Sequence, residues 1–96
     1  MAQAAQILQQ DNRWVLTGDV LIGNASAILK ASEKFALNQT TMIDFAGVQD
    51  IDTAAISLIL EWRRRAALEN QQINCVNLPQ NLTKLTELYG VAKFVI

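Results

Sequence analysis

The hydrophobic and polar positions of the chain follow two different periods, and these periods predict strands alternating with helices. Short apolar runs bounded by turn residues predict strands at residues 5–10, 13–17, 41–45 and 72–77. Apolar residues spaced as on one face of a helix predict helices at residues 24–37, at 53–69 and from 80 or 81 to 90. The pattern is therefore a strand pair followed by helix, strand, helix, strand and helix.

This order of elements predicts an α/β fold. The first two strands can form an antiparallel hairpin across Asp11 and Asn12, whereas strands joined by a helix pair in parallel. We expect an α/β sandwich with a mixed, mostly parallel sheet of about four to five strands and about three to four helices, in which the strand at 41–45 is covered on both faces. Residues 1–96 are expected to form a single domain, with the apolar residues 91–96 packed back as a short tail.

Local signals set the expected ends of these elements. Gly18 and Asp19 are predicted to end the second strand, and Gly90 is predicted to stop the third helix. Asn24 can cap the first helix, and Asp52 can cap the second, since an acidic side chain there accepts backbone N–H groups and complements the positive end of the helix dipole.

The second helix is predicted to have two different faces. At about 100° per residue, one stripe is apolar and faces the core; it consists of Ala55, Ile56, Ile59, Trp62 and Ala66. The opposite stripe mixes hydroxyl, charged and leucine side chains; it consists of Thr53, Ser57, Leu60, Glu61, Arg64 and Leu68. Single exposed leucines are ordinary on protein surfaces. The mixed character of the whole stripe resembles a partner-docking surface with a polar rim.

The start of this helix carries a family motif. Its sequence, Asp52-Thr53-Ala54-Ala55-Ile56, resembles the Asp-Ser/Thr-Ser/Gly-Gly-Leu motif that opens a helix in the STAS domain family, and the order of elements agrees. This variant is most similar to the small STAS subunit of the Mla phospholipid-transport ABC system, the MlaB type.

This resemblance implies a non-catalytic accessory subunit. Its partner would be the cytoplasmic ATPase of a phospholipid-transport ABC complex, together with the permease, in a system that maintains outer-membrane lipid asymmetry. On this interpretation the partner-binding residues are Asp52, Thr53, Ala54, Ser57, Leu60, Glu61 and Arg64.

A second interpretation of the same motif is a phosphorylation switch. STAS domains that act as anti-sigma factor antagonists carry a serine directly after the aspartate, and a partner serine kinase phosphorylates it. Thr53 occupies this position, and a phosphate beside Asp50 and Asp52 would repel an acidic partner surface. Threonine in place of serine, and Ala55 in place of glycine, both disfavour this alternative. A STAS module of another transporter or sensor is a third possibility.

Composition and charge limit the classes of partner. The formal net charge of −1 and pI of about 5.2 give no general attraction to nucleic acid or anionic lipid. Arg63, Arg64 and Arg65 point about 100° apart on a helix and do not make one basic patch; only Arg64 is expected to contact a partner. No apolar run is long enough for a membrane span, and residues 1–6 do not resemble a secretory leader. We expect a cytoplasmic protein without membrane insertion, peripheral to the inner membrane through its partner.

The side chains that usually carry out catalysis are scarce. The sequence has no histidine and no glycine-rich phosphate loop, so neither catalysis nor a cofactor is expected. Its one cysteine, Cys75, lies in a predicted strand and is expected to be a buried apolar filler, not a nucleophile. Asp44, Asp50 and Asp52 could in principle hold a cation, but strand and cap roles explain Asp44 and Asp52, and no metal site is expected.

Overall fold

A computed structural model of the chain describes residues 5–37 and 39–91. The strands are β1 (Gln6–Gln10), β2 (Arg13–Val20), β3 (Thr40–Ile51) and β4 (Gln72–Val76). The helices are α1 (Ala25–Ser32), α2 (Ala54–Leu68) and α3 (Gln80–Leu88). The predicted order of elements is confirmed.

The strands form one sheet in the order β1-β2-β3-β4. β1 and β2 are antiparallel, joined by a tight turn in which Asp11 has a positive φ of 55°. β2 pairs with β3, and β3 with β4, in parallel, so that Trp14, Ile43 and Cys75 lie side by side. The mixed, mostly parallel α/β sandwich expected from the sequence is therefore confirmed.

The helices cover one face of this sheet. Alternate strand residues are buried on that face, including Trp14, Ile43 and Phe45. Neighbouring positions in register on the other face, Met42 and Asn74, are exposed, so no described element covers them. The prediction that strand 41–45 is covered on both faces is wrong, because its apolar Met42 lies on the open side.

Two strands extend beyond their predicted ends. Gly18 and Asp19 do not stop β2; the strand continues to Val20 with register shifts around Gly18, whose φ is 84°. β3 continues to Ile51 because it remains paired with this irregular segment of β2. The turn signal in the sequence thus marks an irregularity inside a strand, as glycine in a strand often does.

The first helix ends earlier than predicted, at Ser32 instead of residue 37. The Arg65 guanidinium from α2 donates hydrogen bonds to the backbone carbonyls of Ser32 and Phe35, which satisfies one carbonyl group at the helix end and one beyond it. Phe35 then contacts the Trp14 ring edge-on, with ring centroids 5.4 Å apart. A long-range contact therefore determines this helix end. Of the tail predicted at 91–96, only Val91 is described, and it packs against the core.

Gly47 is required by the close approach of β2 and β3. A Cβ atom on Gly47 would lie 2.8 Å from Thr17 Cγ2 and 3.0 Å from the Leu16 carbonyl oxygen. We expect Gly47→Ala to lower the free energy of unfolding by about 2 kcal/mol, measured by urea denaturation. Adding Thr17→Ala should recover part of the loss, because it removes one of the two contacts. Gly23→Ala is the control, since no atom lies within 4 Å of its Cβ position; an equal loss there would contradict this account.

Candidate functional site

The carboxylate of Asp52 joins two segments at the start of α2. Asp52 Oδ1 accepts a hydrogen bond from the Ala54 backbone N–H at 2.8 Å, which is the predicted capping role. Asp52 Oδ2 accepts the Ile22 backbone N–H at 3.0 Å, from the loop between β2 and α1. Asp52 therefore fixes the start of α2 against this loop. The Thr53 hydroxyl makes no capping bond, and its side chain is exposed.

The loop between β2 and α1 is held by its own hydrogen bonds. Asn24 Oδ1 accepts the Leu21 N–H at 2.8 Å, and Asn24 Nδ2 donates to the Asp19 carbonyl at 2.7 Å. Asn24 is the N-cap residue of α1, as predicted, but its side chain bonds backwards to the loop and makes no capping hydrogen bond. The loop presents Ile22 to solvent, with its side chain 82% exposed beside the start of α2.

A groove runs between α1 and α2, and it is called the α1–α2 groove below. Its wider part, beside Thr53, is a cavity of about 480 Å³. Its narrower part, about 220 Å³, continues toward Leu68 at the end of α2. Leu29 and Glu61 line both parts, so the two are continuous. The groove is open along its length.

The structure brings the predicted site residues to one surface. Thr53, directly before α2, is exposed, as are Ser57, Leu60 and Arg64 on the helix, whereas Asp52, Ala54 and Glu61 are partly exposed. Four of these seven residues line the wide part of the groove: Thr53, Ala54, Ser57 and Glu61. Arg64 lines the narrow part, whereas Asp52 and Leu60 line neither part.

Sequence reasoning missed the opposite wall of this groove. That wall is formed by Ile22, Ala25, Ser26 and Leu29, of which all but Ile22 belong to α1. An available signal was the apolar Ile22 directly before Gly23 in a turn, where a polar residue is more usual. The apolar spacing of α1 predicts a helix, but it gives no sign that Ala25 and Leu29 line a groove.

The charges along the groove are mainly acidic. Glu61 accepts hydrogen bonds from Arg64, and this contact lowers the pKa of the Glu61 carboxyl group. Glu33 and Glu69 line the narrow part, where Arg65 pairs with Glu69 at 2.8 Å. Glu33 is exposed and forms no ion pair within the described part of the chain.

The three consecutive arginines have separate surroundings. Arg65 binds carbonyl groups at the end of α1 and lies over the Trp14 ring, 5.8 Å from its centroid. Arg64 is exposed and pairs with Glu61. Arg63 lies on another side of α2, beside residues of β4. These positions agree with the prediction that the three arginines form no common basic patch.

The aspartates considered as cation ligands have other partners. Asp44 accepts hydrogen bonds from Asn77, Ala46 and Arg13, and these interactions together lower the pKa of its carboxyl group, the Asn77 bond most of all. Within residues 5–37 and 39–91, no group of three or more acidic, cysteine or histidine side chains could hold a metal ion.

Cys75 is expected to be a poor nucleophile in the folded protein. Burial raises the pKa of the Cys75 thiol from 9.0 to about 11, although the Arg63 charge opposes the shift. Because two pKa units are a factor of about 100 in thiolate at pH 8, we expect a disulfide reagent to react about 100-fold more slowly with the native chain than in urea. The native rate should rise with pH toward 11, whereas the unfolded rate should level off near 9. Equal rates at pH 8 would contradict this prediction.

Solved structures show the same fold. The unphosphorylated form of the anti-sigma factor antagonist SpoIIAA matches with a TM-score of 0.69 and 16% identity, covering 97% of this chain and 86% of that chain. The phosphorylated form of SpoIIAA, a Bacillus cell fate determinant, matches with a TM-score of 0.65 and 14% identity, covering 97% and 89%. The crystal structure of Mglu matches with a TM-score of 0.57 and 22% identity over 78% of this chain, which spans only 20% of that chain. At these identities the matches show the fold alone.

A protein-family model also matches the chain, and this match shows its family. The model described as MlaB, STAS domain, matches residues 4–96. The chain therefore belongs to the STAS domain family and is of the MlaB type, as its Asp52-Thr53 motif indicated. No curated protein sequence matches it significantly. No helix within the described residues is long and apolar enough to cross a membrane.

Proposed function

We propose that the chain is a non-catalytic accessory subunit that docks on the cytoplasmic ATPase of a phospholipid-transport ABC complex. The observation that carries this proposal is the match of the MlaB family model to residues 4–96. The subunit is peripheral to the inner membrane through the ATPase and its permease, and it serves outer-membrane lipid asymmetry.

The exposed surface of α2 supports a particular docking site. The predicted contact residues follow one another along the side of the helix next to the groove: Asp52, Thr53, Ala54, Ser57, Leu60, Glu61 and Arg64. This surface has an apolar floor, to which Leu58 and Leu29 contribute, and a rim of hydroxyl and charged groups. Protein interfaces commonly combine these two features.

The start of α2 contributes to docking in two ways. Thr53 offers a hydroxyl group that no capping bond occupies, and the small Ala54 beside it allows close approach of a partner. Asp52 holds the start of α2 and the Ile22 loop in fixed positions before binding, which reduces the entropy lost when the partner docks. Docking stabilises the bound form of the ATPase by mass action, without chemistry by this chain.

The proposal is tested by mixing the purified chain with the ABC ATPase subunit from the same source. We expect a complex by sedimentation velocity, with a dissociation constant of about 1 µM or tighter. Absence of a complex at about 50 µM of each protein, with both folded by circular dichroism, would contradict the proposed function.

The second candidate function is an anti-sigma factor antagonist switched by phosphorylation at Thr53. It is favoured by the match to SpoIIAA, whose phosphorylated form has this fold, and by the exposure of Thr53. A phosphate there adds nearly two negative charges next to the Asp52 carboxylate. The test is incubation with a serine kinase of the anti-sigma factor class, followed by intact-mass measurement of the wild type and of Thr53→Ala. A phosphate on the wild type alone would support the switch, and no phosphate on either would exclude it.

A further inference from the structure

The walls of the α1–α2 groove have the spacing that a third helix needs. On the α1 side, the lining residues recur every three or four positions: Ala25 and Ser26, Leu29, then Ser32 and Glu33. On the α2 side they recur in the same way: Ala54, Ser57 and Leu58, Glu61, then Arg64 and Arg65. Such rows form ridges into which the ridges of another helix pack.

The length of the groove agrees with a short helical segment. α2 spans 15 residues, or about 22 Å, but α1 spans only eight, or about 12 Å, so the part of the groove with two walls accommodates about two helical turns. Leu68, 73% exposed, lies at the far end of α2, and Ile22 lies at the other end of the groove. Amphipathic helices commonly bind such apolar grooves through side chains at positions i, i+3 or i+4, and i+7.

The charge of the groove indicates the polar side chains of its occupant. Four carboxylates lie on or at the end of the groove: Asp52, Glu33, Glu61 and Glu69. Among the described lining residues, Arg64 pairs with Glu61 and Arg65 with Glu69, so the charges of Glu33 and Asp52 are left in excess. The excess negative charge favours lysine or arginine on the occupant. It disfavours the phosphate of a phospholipid.

We propose that the α1–α2 groove receives an amphipathic helix of the partner ATPase, which lays an apolar stripe on Leu29 and Leu58 and places basic side chains beside Glu33 and Glu61. This inference rests on the proposed function and adds to it the type of element that binds and its chemistry. The second wall, formed by α1, becomes part of the interface.

Photo-crosslinking tests the position of this helix. A photoreactive amino acid is placed at Ser26 on α1, at Ser57 on α2 or, as a control, at Asn74 on the open sheet face, and each chain is irradiated with the purified ATPase subunit. We expect the Ser26 and Ser57 probes to label one ATPase segment with apolar residues at helical spacing and adjacent lysine or arginine, and Asn74 to label nothing. Crosslinks to two unrelated segments, or to a second copy of this chain, would overturn the inference.

Charge reversal tests the basic character of the partner. The double variant Glu33→Lys/Glu61→Lys should slow association with the ATPase about tenfold at low salt, and the difference should shrink at high salt. Glu87→Lys on the exposed side of α3 is the control, and we expect a change below about twofold. Equal slowing of association by the double variant and by Glu87→Lys, or faster association of the double variant, would overturn the inference.

These experiments separate two kinds of failure. If the wild-type chain forms no complex with the ATPase, both the proposed function and this inference are wrong. If the complex forms, but the Ser26 probe labels no ATPase segment and the charge reversals do not change the association rate, only the proposal of a helix in the groove is wrong. Docking then uses another surface.

Discussion

Trp62→Ala should lower the free energy of unfolding by about 4 kcal/mol, the largest effect expected from a single change in this chain. The Trp62 ring is fully buried between the sheet and the helices, edge-on to Trp14 at a centroid distance of 5.7 Å. Its indole N–H donates a hydrogen bond to Ser32 Oγ at 2.9 Å. The substitution removes all of these contacts and leaves a cavity. Since domains are stable by only about 5–15 kcal/mol, the variant should be close to unfolding.

Two control variants separate the causes of this loss. Trp62→Phe keeps an aromatic ring and removes only the N–H and part of the volume, so we expect a loss of about 1–2 kcal/mol. Leu68→Ala, at an exposed position of the same helix, should change stability by less than about 0.5 kcal/mol. The free energy of unfolding of all three variants is measured by urea denaturation, monitored by circular dichroism. A similar loss for Trp62→Ala and Leu68→Ala would show that the two helix faces are not distinct.

Thr53→Trp should weaken binding to the ATPase about 100-fold, which corresponds to about 2.7 kcal/mol. An indole ring at this position fills the end of the α1–α2 groove and prevents close approach at Ala54. Because Thr53 is exposed and its hydroxyl makes no capping bond, the fold should be unaffected. Thr53→Ala removes only the hydroxyl and should cost about tenfold. Affinity is measured by isothermal titration calorimetry.

Thr40→Trp is the matched control for this experiment. Thr40 is also exposed, but it begins β3, at the end of the strand opposite to Thr53. We expect its affinity for the ATPase to stay within about threefold of the wild type. An equal loss of affinity in both tryptophan variants would mean that a bulky side chain anywhere on the chain interferes with binding. The assignment of Thr53 to the docking surface would then be wrong.

The two faces of α2 could be predicted from the sequence because helical periodicity alone determines them. Ala55, Ile59 and Trp62 are buried as expected, and Ser57 and Leu60 of the opposite stripe are exposed. The order of elements was predictable for a similar reason, since short apolar runs and helical spacing are local properties of the chain.

The ends of elements and the groove depend on distant contacts and could not be predicted. α1 ends at Ser32 because Arg65, 33 residues further along the chain, binds its carbonyl group. The wall of the groove on the α1 side is positioned by the hydrogen bond from Ile22 to Asp52, across 30 residues. No local sequence pattern indicates which distant residues will form such hydrogen bonds. The exposed face of β3 was missed because Met42 is apolar, and apolar residues on a surface are common.

Amide chemical-shift mapping of the isotope-labelled chain, titrated with the unlabelled ATPase subunit, tests most directly whether the α2 surface is the docking site. The docking account predicts that signals of Thr53, Ser57 and Arg64 broaden first, while those of Val15 and Asn74 on the open sheet face remain sharp. Broadening first at Val15 and Asn74, with Thr53 and Ser57 unchanged, would contradict docking through α2 and would assign the interface to the open face of the sheet.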